Sequence, residues 1–189
     1  MNTIPETGNV YIIAGISGSG KSTISDRILE EYPTIRRSIA VTSRKPREGE
    51  LFGSHYYFVD HERFQWLIAT KQLLEHTHIY TNDYYGTLKL SVDQLFERGC
   101  DVLFVIDTKG VEQIKHYFPQ AKAIFLKAPN DEEQRNRLER RGTTGDDLKI
   151  RVEKANEELE AAKALGLSVI INDDLEKAIK EVKKAFSLT

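Results

Sequence analysis

The chain has 189 residues, 40% hydrophobic and 30% charged, with 27 Lys plus Arg against 29 Asp plus Glu. That is enough apolar chain for one buried core, which excludes a disordered or collagen-like polymer, and the lack of a basic surplus argues against nucleic acid or an anionic membrane as partner. A single cysteine, Cys100, cannot form an intrachain disulfide, the start of the chain has no leader pattern, and no apolar run nears the ~20 residues that cross a bilayer. A cytoplasmic protein is expected.

The first element is a strand over 10–14, apolar at every position, as a parallel strand buried on both faces requires. Directly after it, Gly15-Ile16-Ser17-Gly18-Ser19-Gly20-Lys21-Ser22 matches G-x-x-x-x-G-K-[ST] and leads into a helix over 22–31, ended by Pro33. A chance match is expected on the order of 1 time in 100 for a chain of this composition, before the flanking strand and helix are required. Glycines let successive backbone N–H groups turn inward around phosphate oxygens, and the helix N-terminus adds its dipole. The candidate ATP site is therefore Gly15, Ser17, Gly18, Ser19, Gly20, Lys21, Ser22 and Thr23. In it, Lys21 reaches the β and γ phosphates and Ser22 offers its hydroxyl to Mg²⁺.

A second core strand is expected over 39–42. The stretch 44–98 is too long for a simple crossover and reads as an inserted lobe, with short strands at 56–58 and 73–74 and helices over 60–71 and 91–98. It opens with Arg44-Lys45-Pro46-Arg47-Glu48-Gly49-Glu50, and Tyr56 and Tyr57 follow. Two guanidinium forks and a phenol converging on one spot would suit a phosphate monoester, although a solvated basic loop has the same composition.

The third core strand, 102–106, delivers Asp107 beside the phosphate loop, where a carboxylate could meet the metal, directly or through water. Helices follow over 109–116, 131–140, 147–165 and 174–186, with strands over 123–126 and 168–171. Val152, Ala155, Leu159 and Ala162 make one apolar stripe on the long charged helix. Arg137 and Arg141 lie four apart, near one helix face, before Gly142. Strand and helix alternate throughout, the pattern of an α/β domain with a mainly parallel five-stranded sheet and helices on both faces. His76 and His78 are read as polar neighbours on a strand and not as zinc ligands.

Taken in order, these motifs resemble the guanylate kinase family over nearly the whole chain. The resemblance rests on the phosphate loop, Ser43-Arg44-Lys45-Pro46-Arg47-Glu48-Gly49-Glu50, Leu74-Glu75-His76, Tyr84-Tyr85-Gly86-Thr87, Ile106-Asp107 with Gly110, Arg137-Leu138, Arg141-Gly142-Thr143 and Asn172-Asp173-Asp174-Leu175. It implies a P-loop nucleoside monophosphate kinase fold, with a core of about 8–43 and 99–189, an acceptor-binding lobe of about 44–98 and a helical lid of about 137–151. It implies ATP with Mg²⁺ as donor and GMP, with dGMP, as acceptor. Arg44, Arg47, Tyr56 and Tyr85 would hold the acceptor phosphate, Glu75 and Thr87 would read guanine, and Asp107 would lie beside the acceptor. Arg137, Arg141 and Arg151 would close over the transferred group with Lys21, and Asn172 would flank ATP. A monomer or homodimer is expected.

The chain departs from the family pattern at Ala40, where a serine is usual, and at Val105, where a second acid is usual. Keeping Leu74-Glu75-His76 aligned requires one extra residue within 78–83, without which His76 would occupy the base-reading position instead of Glu75, and the lid is one residue short between Thr143 and Arg151. Two alternatives stay open at this level. One is a kinase of the same fold with another small phosphorylated acceptor, and the other is a protein-binding module that has lost catalysis.

Overall fold

In the computed structural model, which describes residues 8–78 and 82–188, the chain runs β1 Val10–Gly15, α1 Lys21–Glu31, β2 Ile35–Arg37, β3 Ala40–Thr42, β4 Tyr57–Phe58, α2 His61–Ala69, β5 Leu73–His78, β6 Tyr84–Leu88 and α3 Lys89–Glu97. It continues β7 Asp101–Val105, α4 Thr108–Tyr117, β8 Lys122–Lys127, α5 Asp131–Arg140, α6 Gly145–Glu153, α7 Ala155–Ala164, β9 Ser168–Ile171 and α8 Leu175–Phe186. Five strands form a parallel sheet in the order β2-β7-β1-β8-β9.

β1 lies at the centre, and its alternation divides the core in two. Val10, Ile12 and Ala14 pack with Phe104, Val111, Ile114, Phe118 and Ala162 on the side of α4 and α7. Tyr11 and Ile13 pack with Ile24, Ile28, Ile179, Val182 and Phe186 on the side of α1 and α8. Both faces of the strand are therefore buried, and no polar residue is tolerated along it. Among the described residues no helix is long and apolar enough to cross a membrane.

A second sheet of four strands, β4-β3-β6-β5, is closed on one face by α2 through Val41, Phe64, Leu67 and Leu73. This corrects one expectation from the sequence. The strand over 39–42 does not join the core sheet, because β3 pairs with β4 and β6 in the lobe. The outer core strand is β2 instead, whose Ile-Arg-Arg sequence hid it: only Ile35 is buried, while Arg36 is exposed and Arg37 is half-buried with its guanidinium on Asp26. The helix expected over 147–165 is likewise two helices, α6 and α7, meeting at Lys154.

Candidate active site

β1 ends at Gly15, and the turn into α1 depends on glycine at two points. Gly15 has φ +152° and Gly20 has φ +95°; a Cβ on the first would come within 2.2 Å of Leu126 O, and on the second within 2.2 Å of Asn172 Nδ2. Asn172 lies buried beneath the loop and donates to Ser19 O at 2.8 Å. Lys21 Nζ folds across its own loop, donating to Gly15 O at 2.6 Å and Ile16 O at 3.0 Å. Burial lowers the pKa of this ammonium, and the carboxylates of Glu158 and Asp107 oppose that shift. Ser22 and Thr23 are exposed on the first turn of α1.

Over this loop lies a cleft of about 120 Å³ whose walls include Gly18, Lys21 and Ser22 from the core, Arg47 from the lobe, and Arg141 and Arg151 from the lid. A wider hollow of about 390 Å³ lies beside Asn9, Asp101 and Lys122, at the N-terminal ends of the strands. In a parallel α/β sheet the ligand end is the C-terminal one, so the smaller cleft is the candidate site.

The lobe sheet supplies the other half of the site through its register. Thr87 on β6 faces Ala40 on β3 and Glu75 on β5, while Tyr85 faces Thr42 and Thr77, so one face of the sheet carries Glu75, Thr77, Tyr85 and Thr87. Thr87 Oγ1 donates to Glu75 Oε1 at 2.7 Å. Burial pushes the Glu75 carboxyl up to about 8; the Thr87 hydrogen bond pulls it down and the nearby Asp107 charge adds to the rise. It is Glu75, and not His76, that faces Thr87, because adjacent residues on a strand point to opposite faces. The stretch 78–83 expected to hold an extra residue includes 79–81, which lie outside the described residues.

Arg44 is the hub of the lobe. Its Nε donates to the Tyr85 hydroxyl at 2.9 Å, its Nη2 to Glu50 Oε1 at 2.8 Å, and its guanidinium carbon lies 5.5 Å from the Tyr56 ring centre. Burial opposes the charge, but Glu50 and Tyr85 outweigh it and raise the pKa of Arg44. Glu50 is held low mainly by that same bond, and its other oxygen accepts from Arg47 N at 2.7 Å. Burial, with Tyr85 beside it, raises the Tyr56 pKa, so its phenol stays a neutral donor at ordinary pH.

Asp107 caps α4: its Oδ1 accepts from Gly110 N at 2.8 Å and from Thr77 Oγ1 at 3.1 Å. β5 is pinned to the same helix by Gln113, which bonds both backbone groups of His76, accepting at 3.1 Å and donating at 3.0 Å. In the lid, Arg151 donates to Asp147 Oδ1 at 2.9 Å and to Ser17 Oγ at 3.1 Å. Arg137 donates to Glu133 Oε1 at 2.7 Å and Asn172 O at 2.9 Å, so it braces α5 against β9 while Arg141 and Arg151 line the cleft.

Two residues escaped the sequence reading. Glu50 was visible only as part of a polar turn; its spacing of three from Arg47 and six from Arg44 was the available signal. Glu158 is half-buried, its pKa raised by desolvation while Lys21 pulls it down. It sits three residues after Ala155 and four before Ala162, a carboxylate on an otherwise apolar stripe, and that misplacement was the clue.

A family model described as Guanylate kinase matches residues 7–188. The chain is similar to a guanylate kinase of Prochlorococcus marinus, 41% identical over 177 residues that cover 93% of this chain and 94% of the relative. It is also similar to one of Neisseria gonorrhoeae, 40% identical over 172 residues, 90% of this chain and 83% of the relative. A solved guanylate kinase structure from Anaplasma phagocytophilum superposes with a TM-score of 0.75 at 27% identity, over 95% of this chain and 85% of that one. A gluconokinase from Sinorhizobium meliloti, 16% identical with a TM-score of 0.51 over 96% of this chain and 93% of that one, shares the fold alone.

Proposed function

The chain belongs to the guanylate kinase family, which transfers a phosphoryl group from ATP to GMP, and we propose how its own residues divide that work. The observation that carries the reading is the buried Glu75 carboxylate bonded to Thr87 on the sheet face that also bears Tyr85 and its Arg44 partner. A carboxylate there accepts from guanine N1–H and the exocyclic amine together, a pair adenine does not present. A pocket that buries such an acceptor rejects bases that leave it unpaired.

In this reading Arg44, Arg47, Tyr56 and Tyr85 hold the acceptor phosphate. Glu50 keeps Arg44 in place until that phosphate arrives and competes for the guanidinium. ATP lies on the loop Gly15 to Ser22, with Thr23 and Asn172 at its margins, and Lys21 exchanges the Gly15 and Ile16 carbonyls for phosphate oxygens. Arg141 and Arg151 spread over the transferred group from the lid, while Arg137 fixes the helix that carries Arg141. The same pocket accepts dGMP, because nothing in these roles uses the 2′-hydroxyl.

Mg²⁺ suits the residues present. Ser22 offers an exposed hydroxyl, both hydrogen bonds to Asp107 fall on Oδ1 so that Oδ2 can take a metal-bound water, and a hard ion with so few protein ligands takes the rest from phosphates and water. When bound, it would supply positive charge that offsets the negative charge developing on the phosphates. The direct test is ADP release from ATP–Mg²⁺ across GMP, dGMP, AMP, CMP, UMP and ribose phosphates, with Lys21→Ala and Glu75→Ala beside the parent. GMP and dGMP are expected to turn over, and each substitution to cost about 10²-fold or more in kcat/KM. Rapid turnover of another acceptor with GMP inert would refute the guanine-reading role.

A further inference from the structure

Gln134, on α5, is 1% exposed, and none of the roles above uses it. Its Nε2 donates to Ser17 O in the phosphate loop at 3.1 Å and to Arg151 O on α6 at 3.4 Å. It also packs on the loop itself, since a Cβ built on Gly18 would meet Gln134 O at 3.1 Å and its Cγ at 3.4 Å. Only the NH₂ end of the amide can face two carbonyls, which fixes its orientation. Its Oε1 is buried with no hydrogen-bond partner among the described residues. A half-satisfied buried amide weakens the fold relative to an apolar side chain of the same size. Stability therefore does not explain it, whereas its reach does: it joins the phosphate loop, α5 and α6 at one atom.

Ser17 receives a second contact from the same side, Arg151 Nη1 to its Oγ at 3.1 Å. We propose that Gln134 is a positioning residue that docks α6 on the phosphate loop and thereby aims the Arg151 guanidinium at the phosphoryl group in transfer. The inference rests on the reading of Arg151 as a charge-stabilising lid residue. Gln134 does not touch substrate; it sets the distance between the loop that holds ATP and the helix that carries Arg151. Small errors in such placement are expensive in rate.

Gln134→Leu keeps the volume and removes both N–H donors. With Gln134→Leu, kcat is expected to fall about tenfold, with KM for GMP within about twofold of the parent. The Tm of the nucleotide-free protein is expected to change little, because removal of the orphaned oxygen offsets the loss of the donor to Ser17 O and Arg151 O. An unchanged kcat overturns the proposal. Should the leucine variant fail to fold, Gln134→Met, unbranched and of similar length, is measured in the same way. Arg151→Ala separates the two readings: an unchanged kcat there refutes the role of Arg151 itself. If Arg151→Ala does lower kcat, Gln134→Leu should add little on that background. A full further loss would place the action of Gln134 elsewhere and overturn the inference.

Discussion

On the reading proposed above, Glu75 would govern the acceptor side through its protonation. Burial raises its carboxyl from 4.5 to about 8, so near neutrality the free protein holds it largely protonated, whereas guanine presents donors that need it ionised. GMP binding should then expel a proton, and KM for GMP should fall by up to about tenfold per pH unit on the way up to pH 8 and level off above it. Calorimetry in buffers of different ionisation enthalpy reads the proton directly; a binding heat independent of buffer at pH 7 would sink the idea. The sign for stability is opposite. Between 4.5 and about 8 the folded chain holds the proton that the unfolded chain has released, so stability contributed by this group is lost as pH rises through that window. Glu75→Gln does not titrate, and at pH 9 it should melt above the parent while binding GMP far more weakly. Arg44 is held charged and oriented by Glu50 and Tyr85; in its proposed role, less order would have to be imposed when the acceptor binds.

Elements carry the site because their ends and registers converge. α1 starts at the phosphate loop, α4 starts at Asp107, and β5 is clamped to α4 by Gln113. Asp107 therefore does two jobs, capping α4 and placing negative charge beside Lys21 and Glu75. Substitutions separate them. Asparagine is as good an N-cap as aspartate, so Asp107→Asn should keep Tm close to the parent while kcat falls and the Glu75 pKa drops. Asp107→Ala should lose the cap as well, at a cost of about 1 kcal/mol. Thermal unfolding beside ADP release checks both, and a parental kcat in Asp107→Asn would leave only the structural role. Strand β1 was readable from its unbroken apolar run, and the amphipathic α8, with Ala178, Ile179, Val182 and Phe186 buried, from its helical spacing. β2 was not, since a three-residue edge strand with two arginines has no period to read.

The whole molecule is two sheets around one cleft, with core, lobe and lid each contributing to its walls. Each nucleotide alone should raise Tm by mass action, and both together should draw Arg47, Arg141 and Arg151 closer and reduce the radius of gyration. Scattering profiles that overlay with and without both nucleotides would argue against closure. At this scale the division between chain and fold is plain. The sequence alone determined the phosphate loop, the doubly buried strand before it and the α/β alternation, because glycine freedom and runs of apolar residues are local properties of the chain. Only the tertiary structure decided that the strand at 40–42 serves the lobe, that Glu75 and not His76 meets Thr87, that Glu158 lies near Lys21, and that Gln134 is buried against the phosphate loop. Strand partnership and the burial of polar groups are set by residues far apart in the chain, such as Gln134 and Ser17 at a separation of 117, and no local pattern encodes them.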